Sequence, residues 1–117
     1  MSLFSIHWFL AGAIWYFVNG ILHDFFVLKK HEGGYDRELL RLLMDGHVLL
    51  LSGVLLFISW LMVKQGLSWG AVTAFFVGIG MIIYCIMIFP FLKSIVTLLL
   101  SLVICIISVV VYFRLKI

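Results

Sequence analysis

The chain has 117 residues, 66% of them hydrophobic and only 11% charged, against roughly 25% charged in an ordinary soluble domain. Its net charge of +3 comes from Lys and Arg beside apolar runs, where membrane proteins keep them, so it gives no basic face for nucleic acid. All five acidic residues (Asp24, Glu32, Asp36, Glu38, Asp45) fall in one window, while residues 46–63 and 65–92 hold no Asp, Glu, Lys or Arg.

Uncharged runs of this length are what a hydrocarbon core of roughly 30 Å demands of a helix. The sequence therefore predicts an all-α integral membrane four-helix bundle, a single transmembrane domain over residues 1–117, with spans at about 3–28, 45–63, 67–92 and 95–113. No basic segment precedes the first apolar run and no small-x-small cleavage site ends it, so it reads as a retained span and Met1 as the mature start.

Span one carries Ser5, Gly12, Tyr16, Asn19 and His23, which at about 100° per residue share a stripe of roughly 60°. A polar face at membrane depth is costly unless it meets a partner or water, so this stripe is expected to look into the bundle. The connection over residues 29–44 is the one sizeable loop. Gly33-Gly34 breaks it, and Asp36 to Met44 reads as a short amphipathic helix laying Leu39, Leu40, Leu42, Leu43 and Met44 at the headgroup boundary. His31, beside Glu32, is expected to be solvated.

Span two opens with Asp45, Gly46 and His47; Asp45 is a candidate N-cap for this helix. Lys64-Gln65-Gly66 separates spans two and three, and Pro90 with Lys93-Ser94 separates spans three and four, so neighbouring spans are expected to be antiparallel. Span three offers Gly70, Ala74 and Gly78, and span four Thr97, Ser101, Cys105 and Ser108. These small-residue faces suit either internal helix packing or a subunit interface. Cys85 and Cys105 lie in apolar runs without a CxxC spacing and read as packing residues.

Four crossings put both termini on one side. Trp8, Trp60, Trp69 and Tyr112 all fall at span ends on that same side, as an interfacial aromatic belt would. The long loop and the 3–4 turn carry five Lys or Arg residues and the terminal side three. The positive-inside rule then predicts an inner or plasma membrane protein with a cytoplasmic loop and both termini outside.

Acids, bases and imidazoles gather in one place. Tyr16, Asn19, His23 and Asp24 of span one and Asp45 and His47 of span two form the candidate ligand- or proton-binding cluster. His23 and His47 come out at about the same depth, some 10–12 Å from the bilayer centre at ~1.5 Å per residue. Besides an interfacial network in which His and Asp satisfy one another, three functions fit. The first is binding or translocation of a small solute or a proton by these side chains. The second is a redox protein in which His23 and His47 ligate haem b or a metal. The third is a non-catalytic accessory subunit of a larger membrane complex. A bundle this thin is expected to work in the lipid bilayer as a homo-oligomer or beside a partner membrane subunit. His7, far along span one from His23, is expected to be an interfacial neighbour of Trp8. HExxH, GxSxG, P-loop and paired midplane carboxylates are all missing, so nothing in the sequence selects an enzymatic reaction.

Overall fold

The structure, a computed structural model, describes residues 3–89 and 95–116. Its elements are α1 (Leu3–Lys30), α2 (Arg37–Lys64), α3 (Ser68–Ile88) and α4 (Ile95–Lys116). All four are long and apolar enough to cross a membrane, and the chain is a multi-pass membrane protein. The turn expected at Pro90 and Lys93-Ser94, like the side chain of Ser5, lies outside the described residues.

The largest difference from expectation is the start of α2. Residues 37–44 are not a separate interfacial helix but the first two turns of a 28-residue helix that runs unbroken into the second span. Its N-cap is Asp36, whose Oδ1 accepts the Leu39 amide at 2.8 Å, and not Asp45. Nothing between Met44 and His47 breaks a helix except Gly46, which a helix interior tolerates. The true loop is six residues, 31–36, with Gly33 at φ 108°. His31 folds back over it, 3.3 Å from the Gly34 carbonyl and 3.4 Å from Asp36 Oδ2, with its side chain only 11% exposed. It is therefore covered rather than solvated.

At the far end of α2 the chain turns through a Schellman motif. Leu67 N–H reaches Met62 O at 3.0 Å, Gly66 N–H reaches Val63 O at 2.9 Å, and Gly66 supplies the positive φ of 80° that this cap requires.

Contacts between neighbouring helices rise along one chain segment as they fall along the next. Gly20 meets Gly46 while Gly53 meets Ala13 and Phe17, and Ser59 meets Gly70 while Ser52 meets Met81. Gly78 meets Ser101 and Cys105, and Gly12 meets Ile104 while Trp15 meets Thr97. The small-residue faces of α3 and α4 thus close the bundle internally: Gly70 seats on α2 and Gly78 on α4.

The core is a column of Ile6, Phe9, Ala13, Tyr16, Leu56, Val63, Ala71, Ala74, Met81, Ile104 and Val111. Large side chains such as Phe25, Phe76, Ile86 and Ile106 point outward, where acyl chains solvate them. At the end holding the α1 N-terminus and α4 C-terminus, His7 lies against Trp60 (ring centroids 6.5 Å apart). There too Lys64 stacks over Trp60 and Lys116 over Tyr112.

Candidate functional site

The polar face of α1 does turn inward, and its residues fall into three layers. Deepest is Tyr16, fully buried, whose hydroxyl lies 2.5 Å from Ser101 Oγ on α4. Ser101 itself donates to Thr97 O at 2.7 Å, so Tyr16 is the donor in the pair. Beneath it the bundle is sealed. A Cβ on Gly12 would come within 2.5 Å of Ile104 Cδ1 and 2.8 Å of Leu56 Cδ2, both side chains being wholly buried.

The middle layer holds Asn19 and His23. Asn19 Nδ2 donates to Trp15 O at 2.8 Å, and Trp15 Nε1 donates to Thr97 Oγ1 at 3.0 Å. His23 Nε2 lies 3.0 Å from Leu42 O on α2; a carbonyl only accepts, so this nitrogen carries a proton. Tyr84, from α3, directs its hydroxyl toward the Asp45 carbonyl at 3.5 Å.

The outer layer pairs Asp24 with His47 across α1 and α2. His47 Nδ1 donates to Leu43 O at 2.9 Å and stands 3.3 Å from Asp24 Oδ2. The imidazole is 63% exposed and the carboxyl only 15%, so one end of the pair meets the outside and the other is inside. Asp24 Oδ1 is buried and finds no donor among the described residues. It rests directly on Gly46, where a Cβ would collide with it.

The six expected site residues therefore do not form one cluster. Asp24 and His47 meet, and Asn19 and His23 share a second locus. Tyr16 stands one turn deeper, and Asp45 offers its backbone carbonyl to Tyr84. His23 and His47 are each turned to a different α2 carbonyl, Leu42 O and Leu43 O. Among the described residues, no three His, Cys, Asp or Glu side chains gather as a metal site.

Sequence reasoning missed Gly46, Tyr84 and the hydrogen bonds that Thr97 and Ser101 make to Trp15 and Tyr16. Tyr84 was detectable as a lone phenol in an apolar run. Gly46 was not, because its role depends on which α1 residue lies opposite.

No protein-family model, curated protein or solved structure matches this chain.

Proposed function

We propose that this membrane protein exchanges a proton, in step with binding a small polar solute, at the loop end of its bundle. The excess of Lys and Arg at the loop end supports a cytoplasmic position for it. The observation that carries the reading is Asp24: a carboxyl in a spanning helix with one oxygen on His47 and the other buried over Gly46 with no donor among the described residues.

An ionised carboxylate in that position leaves one buried oxygen that no protein donor among the described residues reaches, at a cost of about 1–3 kcal/mol or more for a charged group. A proton on the carboxyl removes that charge. The exposed imidazole of His47, 3.3 Å from Asp24 Oδ2, is the relay between bulk water and the buried acid. Ionisable side chains within spanning helices are the usual markers of proton and solute paths.

The test is proton uptake by the purified protein in lipid nanodiscs after a small pH jump, with the carboxyl band followed by infrared difference spectroscopy. Asp24→Asn, which keeps the shape of the side chain, is expected to remove one carboxyl's share of the signal. His47→Ala is expected to keep that signal but slow its appearance several-fold. Unchanged uptake in a folded Asp24→Asn protein would sink the reading.

A further inference from the structure

Behind His23, between the helices, lies a partly open cavity of about 140 Å³ to which all four helices contribute. Its polar wall is made by Asn19 and His23 of α1, Tyr84 of α3 and Thr97 of α4; Leu49, Cys85 and Ile88 make the apolar one. Among the described residues, no Asp, Glu, Lys or Arg lines it. Nor does it lead further. One turn below, Tyr16 and Ser101 are spent on each other and on Thr97 O, and the Leu56–Ile104 contact over Gly12 closes the bundle.

The hydrogen-bonding groups of this chamber are only partly used. Asn19 gives one N–H to Trp15 O, which leaves its second N–H and its amide oxygen. His23 spends Nε2 on Leu42 O, which leaves Nδ1 as an acceptor. The Tyr84 hydroxyl reaches Asp45 O only at 3.5 Å, a long bond that a better acceptor would replace. A polar chamber of this kind is not left dry. Its volume equals that of about four or five water molecules at ~30 Å³ each.

We infer that the chamber is a dead-end binding site for a small uncharged solute of the amide class, carrying both a donor and an acceptor on about four or five non-hydrogen atoms. The described lining offers neutral donors and acceptors, which match a neutral polar solute. The unused amide edge of Asn19 matches a second amide with paired N–H and C=O bonds, and Cys85 and Ile88 face the solute's carbon end. The seal at Gly12 makes the site one of binding and release from the loop end. This deepens the proposed function by naming the solute's class, and it rests on that function's loop-end access, not on the chemistry of Asp24.

Cys85 supplies a built-in reporter, since the other cysteine, Cys105, packs against Gly78 away from the chamber. In a Cys105→Ala protein in nanodiscs, a small neutral methylthiosulfonate is expected to modify Cys85. Acetamide is expected to slow that reaction in a saturable way. Asn19→Ala keeps the labelling but weakens acetamide protection about tenfold, the worth of roughly one good hydrogen bond.

Cys85 that reacts no faster than Cys105 in the reciprocal Cys85→Ala protein, or labelling that acetamide does not slow, would overturn the assignment and leave the chamber to water. Asp24→Asn leaves every lining residue in place, so protection is expected to persist in it even where proton uptake is lost. Protection that vanishes with Asp24 alone would instead place the solute at the outer pair and overturn the chamber site.

Discussion

At the scale of single residues, the arrangement depends on what stands opposite Asp24. A carboxyl group lies flat on the backbone of α2 because position 46 has no Cβ, and this brings Oδ2 to His47 while burying Oδ1. Gly46→Ala would put a methyl group where Oδ1 now sits. The acid must then rotate away or α1 must lift, at an expected cost of about 1–3 kcal/mol for an overpacked contact. The same substitution in an Asp24→Ala background should cost much less, giving a coupling energy of about 0.5–3 kcal/mol. Unfolding titrations in mixed micelles measure all four corners of this cycle. Equal costs in the two backgrounds would mean that the carboxyl does not occupy the notch over Gly46.

At the scale of elements, the four spans were legible because bilayer thickness imposes a length and a lack of charge that the sequence displays directly. The inward stripe of α1 was legible for a similar reason, since Gly12, Tyr16 and Asn19 repeat at helical spacing. The start of α2 was not. Charge marks where a helix leaves hydrocarbon, not where it stops being a helix, and Arg37, Glu38 and Arg41 sit comfortably on turns outside the lipid. The stop signal lies further out, in Asp36.

Its side chain accepts the Leu39 amide and stands 3.4 Å from His31, so one residue caps α2 and ties down the loop. Asp36→Ala is expected to cost about 1 kcal/mol, whereas Asp36→Asn, an equally good cap, costs little through the helix. Hydrogen exchange at Leu39 is the local readout: faster in the alanine variant, nearly unchanged in the asparagine variant. A network of His and Asp was legible, but which imidazole meets Asp24, and where Tyr84 and Thr97 enter the chamber, were not, for a different reason. Periodicity gives the faces of one helix but not the rotation and offset of its neighbours.

At the scale of the whole molecule, that rotation and offset are set where helices come closest. α1 packs most extensively on α2, and α3 on α4, while the α1–α4 seam is much slighter. The bundle is 56 Å long, well beyond a hydrocarbon core of roughly 30 Å. The α1–α2 seam holds the outer pair and half of the chamber, and glycines govern it. A Cβ at Gly20 would stand 2.8 Å from Gly46 O, and one at Gly53 would stand 2.9 Å from both Ala13 O and Phe17 N.

These are backbone atoms, which cannot step aside as the tip of a leucine can. Gly53→Leu is therefore expected to push α1 and α2 apart, destabilise the bundle by about 1–3 kcal/mol and speed thiol modification of Cys85 as the chamber loses a wall. Gly80 is the internal control. It too lies within a helix, yet nothing stands within 4 Å of where its Cβ would be, so Gly80→Ala should change stability by no more than about 0.5 kcal/mol and leave Cys85 labelling as it was. If the two variants behave alike, the close approach of α1 to α2 is not what sets the register, and the positions of Asp24, His47 and the chamber must be fixed by the α3–α4 side of the bundle instead.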